Sequence, residues 1–127
     1  MFEPTRAIAK NVGHPPRKVR RVTEAIKGRR VSEALAILQF LPNMPARDVY
    51  KVVASAAANA ENNYEADPDA LWVTNAIVDE GESLGRWRIR PHGRSSRIKR
   101  RTSHITVYVS DNPDDLPKNA RNAHRRR

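Results

Sequence analysis

Cysteine is absent from this chain of 127 residues, which excludes disulfides and thiolate metal sites and leaves an intracellular setting open. Long apolar runs are missing as well. The longest fall far short of the roughly 20 residues that a membrane helix needs, and the opening MFEPTRAIAK carries no secretory-type apolar segment, so a soluble protein is expected. No unit repeats at a fixed period. One domain with a modest core is expected over residues 1–110, followed by a mobile basic tail over 111–127. Signatures of chemistry are also lacking. Asp79 and Glu80 are adjacent carboxylates, but strand neighbours point to opposite faces, which does not suit acid/base pairing. His14, His92, His104 and His124 show no ligand spacing, Gly81, Gly85 and Gly93 form no phosphate-binding loop, and Ser95 and Ser96 sit among arginines without a base. Neither an enzyme nor a metal or cofactor site is expected.

What the chain does have is positive charge, and its placement matters more than its sum of +10. Residues 1–30 hold nine Lys/Arg against two Asp/Glu, residues 31–85 hold two against nine, and residues 86–127 hold thirteen against three. Charge serving solubility alone would be spread evenly. Segregation of this kind points to a polyanion-binding surface built from the N-terminal segment and the C-terminal third. A membrane-surface protein would share the bias, but would place it on a helix opposite bulky apolar residues.

The most basic stretch reads instead as strand. In RWRIRPHGRSSRIKRR, from Arg86 to Arg101, eight of sixteen residues are Arg or Lys and none is acidic. Burying unpaired cations costs several kcal/mol each, so these side chains need water or a polyanion. Arg86, Arg88 and Arg90 alternate with Trp87 and Ile89, the period of an extended strand with two unlike faces. Pro91, His92 and Gly93 break the pattern with turn residues, after which Arg97, Lys99 and Arg101 alternate around Ile98. Two basic strand arms around a tip are predicted, in preference to a disordered basic loop. For Trp87 the choice lies between stacking on a base and cross-strand packing, and packing is the expected role.

The remaining elements follow from periodicity. Thr5 to Val12 reads as a short strand. Pro15 and Pro16 open a helix whose buried stripe is Val19, Val22 and Ile26, whose cap is Gly28, and whose other face carries Arg17, Lys18, Arg20, Arg21 and Lys27. A second helix is predicted through Ala34, Leu35, Leu38 and Leu41, with Ser32 as N-cap and Pro42 ending it. A third starts at Pro45 and carries Val49, Val52, Val53, Ala56, Ala57 and Ala60 on one stripe. For Asn59, Asn62 and Asn63 the choice lies between capping its last turn and contacting a ligand, and capping is the expected role. A strand over Leu71 to Val78 is predicted with Leu71, Val73 and Ile77 on one face and Trp72, Ala76 and Val78 on the other. A last strand, Thr102 to Ser110, sets Ile105, Val107 and Val109 against His104, Thr106 and Tyr108. Antiparallel pairing of these two strands turns residues 79–101 into a hairpin with arms of roughly 35 Å at the usual strand rise.

Five pieces in order carry a resemblance. Pro16-Arg17-Lys18-Val19-Arg20, Ile26-Lys27-Gly28, the Ala56 to Asn62 stretch AAANAEN, Val78-Asp79-Glu80-Gly81 and Arg101-Thr102-Ser103-His104-Ile105-Thr106-Val107 resemble the ribosomal protein twenty-two family of the large subunit. At the tip the chain departs from the family's usual Lys-Arg pair and Pro-Arg-Ala segment, with Gly85-Arg86 and Ile89-Arg90-Pro91 in their place. The resemblance implies an α+β fold: three helices packed on a three-stranded antiparallel sheet, with a long basic β-hairpin extension and a disordered C-terminal tail. It implies binding to large-subunit rRNA, support of its assembly, and a hairpin reaching the wall of the nascent-peptide exit tunnel, where family members influence macrolide action. The rRNA contacts it suggests are Arg17, Lys18, Arg20, Arg21 and Lys27 on the first helix, and Arg86, Arg88, Arg90, Arg94, Arg97, Lys99, Arg100, Arg101, Thr102 and His104 on the hairpin. Tunnel-lining residues would be Arg88, Ile89, Arg90, Pro91, His92 and Gly93. Partners would be rRNA, neighbouring ribosomal proteins and the nascent peptide, in a cytoplasmic or organellar ribosome, with neither membrane nor DNA. A free RNA chaperone or assembly factor is the alternative reading. A DNA-binding module fits less well, since helix-turn-helix and zinc patterns are missing.

Overall fold

The computed structural model describes residues 5–111. In chain order these form β1 (Thr5–Val12), α1 (Pro16–Ile26), α2 (Val31–Phe40), α3 (Pro45–Tyr64), a 3-10 turn (Pro68–Ala70), β2 (Trp72–Ile89), a second such turn (Pro91–Gly93) and β3 (Ser95–Ser110). One antiparallel sheet results, in the order β1-β3-β2. Helices α1 and α3 lie against it and α2 packs on both. This is the α+β architecture that the resemblance implies. The expected tail lies outside the described residues apart from Asp111.

The core is aliphatic and small. Val19, Val22 and Ile26 of α1, Val49, Val53 and Ala56 of α3, and Ile105, Val107 and Val109 of β3 are all fully buried. Proline opens both α1 and α3, where its missing N–H would have no helical partner. The alanine stripe brings α3 close to β1, close enough for the Asn59 side-chain amide to donate to the Arg6 carbonyl at 3.3 Å. Asn59 is therefore an interlayer tie rather than a cap. The left-handed residue that ends α3 is Glu65, at φ 52.

Two further expectations are corrected by tertiary pairing. Helix α2 starts at Val31, with Arg30 in the cap position, so Ser32 falls inside the first turn and makes no capping bond. The reason is that the α1–α2 connection is pinned to the edge of β2. The Gly28 amide donates to Val73 O at 2.8 Å, the Val73 amide to Arg29 O at 2.8 Å, and the Val31 amide to Leu71 O at 3.0 Å. These bonds fix where the helix begins and cover an otherwise open strand edge. Gly28 itself holds φ 77, as its predicted place just beyond α1 requires.

In β2 the pairing slips between Val73 and Asn75, a β-bulge that changes the phase of the strand. Val73, Ala76 and Val78 are consequently buried while Ile77 is exposed, not grouped with Val73 as strict alternation predicts. Thr74, buried at the bulge, donates its hydroxyl to Tyr108 O at 3.2 Å. Beyond Val78, β2 and β3 leave the body and remain paired as far as Ile89 and Ser95.

Candidate nucleic-acid interface

The hairpin begins at a second irregularity, between Glu80 and Ser83. Gly81 is needed there. A Cβ at that position would lie 2.5 Å from the Thr102 hydroxyl and 3.3 Å from its carbonyl carbon. That hydroxyl donates to Glu82 O at 2.7 Å and holds the bulge. The next two residues tie the junction to the N-terminal segment: Ser103, fully buried, donates its hydroxyl to the His14 carbonyl, and Nδ1 of His104 accepts the Asn11 amide at 3.1 Å. Thr102 and His104, expected to touch RNA, thus have hydrogen-bonding atoms engaged within the chain. Their place in the structure is at the root of the hairpin.

From Glu82 to Ser95 every residue is exposed. Register places Leu84, Arg86 and Arg88 across from Arg100, Ile98 and Ser96, so these six share one face. Gly85, Trp87 and Ile89 share the other with Lys99, Arg97 and Ser95. The alternation within each arm is as predicted, but the basic positions of the two arms are out of phase. Both faces of the ribbon are therefore cationic. Trp87 is 74% exposed and Ile89 87%, so the opposite arm does not cover them, contrary to the expected packing role of Trp87. At the tip His92 and Gly93 hold φ 64 and 71, and Arg90 donates Nε–H to the Ser96 hydroxyl at 2.9 Å.

On α1, Arg17, Lys18 and Arg21 are exposed, Lys27 is paired with Glu24 at 3.1 Å, and Arg20 donates from Nη2 to Val78 O at 3.0 Å. The last contact is informative. Val78 is where β2 leaves the body, so Arg20 ties the basic helix to the root of the basic hairpin and makes two regions distant in sequence adjacent in space. Sequence reasoning singled out Arg20 for charge and missed this bond, because a guanidinium-to-carbonyl contact between residues 58 apart leaves no local pattern. It also missed Arg29, paired with Glu33 at 2.7 Å, and Arg30, whose guanidinium lies 4.9 Å from the centroid of Trp72. Among the described residues the ion pairs are His14–Asp48, Lys27–Glu24 and Arg29–Glu33, and none involves the hairpin. Glu65, Asp67 and Asp69 precede β2, at the end of the sheet away from the tip.

No group of three or more His, Asp or Glu side chains among the described residues could hold a metal ion, and the concavity where α2 meets α3 is lined by Leu38, Leu41, Pro42, Met44 and Tyr50 beside Arg47 and Lys51. Nor is any described helix long and apolar enough to cross a membrane.

A two-layer α+β body that carries a long cationic ribbon, with no ion pair on that ribbon among the described residues, defines the class: a small basic α+β protein with a β-hairpin extension. The family model of Ribosomal protein L22p/L17e matches residues 7–110, and this chain belongs to that family. It is similar to the large ribosomal subunit protein uL22 of Desulfitobacterium hafniense, with 53% identity over 108 residues covering 85% of this chain and 95% of the relative. Similarity to the uL22 of Desulforamulus reducens is 55% over 106 residues, covering 84% and 94%. Residues 111–127 lie beyond the family match.

Proposed function

We propose that this chain is a structural constituent of the large ribosomal subunit that binds its rRNA through two joined surfaces, the basic face of α1 and the β2–β3 hairpin. The observation that carries the reading is the ribbon of exposed arginines and lysines with no acidic partner among the described residues, rooted beside the exposed cations of α1. Nothing among the described residues neutralises it, and a polyanion would. Guanidinium groups engage phosphates in forked geometry, and a two-stranded ribbon enters crevices of folded RNA that exclude a globular domain.

Within that reading Arg17, Lys18 and Arg21 anchor the body. Arg86, Arg88, Arg90, Arg94, Arg97, Lys99, Arg100 and Arg101 contact phosphates along the ribbon, and Thr102 and His104 position its root. The turn Pro91–Gly93 with its flanking Arg88, Ile89 and Arg90 meets the exit-tunnel wall and the nascent peptide, which couples the tip to macrolide response. Assembly is supported because the ribbon holds RNA segments together. The acidic turn around Asp67 and Asp69 is left to face solvent or basic protein neighbours.

Sedimentation tests the proposal. A lysate is fractionated at low and at high salt and the fractions probed for this chain. Stoichiometric presence in large subunits after a high-salt wash is expected. A substoichiometric fraction released at moderate salt would instead identify a free assembly factor or chaperone and overturn the structural role.

A further inference from the structure

The two faces of the hairpin are both basic, yet they are not alike, and the difference concerns what each can recognise. On the face of Arg86, Arg88 and Arg100 the apolar members are the aliphatic Leu84 and Ile98. The other face carries the exposed indole of Trp87 with Arg97 directly opposite, Lys99 diagonal to it, and Ile89 beyond. Gly85 gives this face its shape. A Cβ there would lie 2.9 Å from Nε, 3.3 Å from Cζ and 3.0 Å from Nη2 of Arg97, so the guanidinium is seated on the bare backbone of Gly85, on the face that carries Trp87. Among the described residues the cation over an aromatic ring is Arg30 on Trp72, and the ring of Trp87 is left uncovered.

We propose that the Trp87 face is a stacking site for a nucleobase splayed out of the RNA helix, with Arg97 and Lys99 taking the phosphates that flank it, while the Arg86/Arg88/Arg100 face, which has no ring, meets RNA through backbone phosphates. A nucleotide is a flat ring tethered to an anion, and this face offers a flat ring bordered by cations. Exposing an indole to water is unfavourable unless a partner covers it, and the hairpin has none of its own to offer. A base within a duplex has its faces occupied by neighbours, so the site selects unpaired segments. Arg97 and Lys99 favour a nucleotide over a neutral apolar peptide as the occupant.

The inference rests on the hairpin being an RNA contact, and the test separates the two claims. The full chain is titrated with a short unstructured RNA oligonucleotide and with the same strand annealed to its complement, using the parent, Trp87→Ala, Trp87→Phe and Arg88→Ala. Removing one base–aromatic stack should weaken binding of the unpaired strand by roughly five- to one-hundred-fold in Trp87→Ala, with partial recovery in Trp87→Phe. Duplex affinity and the salt slope should stay at the parent's values in both. Arg88→Ala should weaken both RNAs alike and reduce the logarithmic salt slope by about 0.7 to 0.9. Indole emission should be quenched by the unpaired strand in the parent and not in Trp87→Phe, where Trp72 is the remaining fluorophore. If Trp87→Ala weakens neither RNA, or both equally, or if anionic vesicles rather than RNA shift the Trp87 emission, the stacking site is refuted. Binding of the parent to RNA with ordinary salt dependence in those cases leaves the rRNA-binding reading standing; failure of the parent to bind RNA overturns both.

Discussion

Ser103 has its side chain fully buried and its hydroxyl committed to the His14 carbonyl, so its contribution can be read from one substitution. Ser103→Ala leaves that carbonyl without its donor in a partly buried site, which should cost about 1 to 3 kcal/mol. Thermal unfolding of the variant should fall by several degrees, with the folded structure retained. Gly81→Val addresses the same junction from the other strand, where the new side chain would displace the Thr102 hydroxyl from Glu82 O. Ile105, within the body part of β3, and Ile89, the last residue of β2, provide the contrast. Ile105→Ala empties a fully buried site and should cost about 2 to 5 kcal/mol, whereas Ile89→Ala, at the exposed end of the ribbon, should stay within about 0.5 kcal/mol of the parent in chemical denaturation. Equal losses at the two positions would mean that the ribbon packs on something in the free protein.

Elements whose residues obey one period were legible from sequence. The α3 stripe and the Ile105, Val107, Val109 alternation needed nothing but spacing, because each faces one core across its whole length. What stayed hidden lies where the period changes or a distant partner decides. The bulge at Thr74 moves Ile77 out of the core, and a bulge has no signature in hydrophobicity. Helix α2 starts at Val31 because β2 pairs with the preceding loop, which a capping rule applied to Ser32 cannot register. The basic character of the site was visible in composition. The relative phase of the two arms, which puts Arg97 beside Trp87, depends on cross-strand register and was not. Dynamics should follow the same division: the ribbon has backbone pairing but no buried apolar contacts from Glu82 to Ser95, so its amides open at low free-energy cost. Hydrogen exchange of the free protein should be far faster over residues 85–97 than over 49–60. Comparable protection of the two would contradict a ribbon held only by its own two strands.

At the scale of the whole molecule, a small aliphatic core carries an arm whose cations have no ion pair among the described residues, and under the proposed function α1 is the anchor and the hairpin a separable extension. Residues 86–97 contribute nothing to the buried core, and shortening a loop changes closure entropy by only about 0.6 kcal/mol per halving. RNA affinity should depend steeply on salt and less steeply once Arg86, Arg88, Arg90, Arg94 and Arg97 are gone, since each lost phosphate contact removes about 0.7 to 0.9 from the logarithmic slope. The measurement that tests the division of labour most directly is the amount of a hairpin-shortened variant, lacking residues 86–97 with the arms rejoined by a short turn, in purified large subunits beside the full-length chain. The account predicts a variant that unfolds close to the parent's temperature and is present at the parent's level, held by Arg17, Lys18 and Arg21. A variant that is folded yet absent from the subunits would show that the hairpin, not the helix, is the anchor.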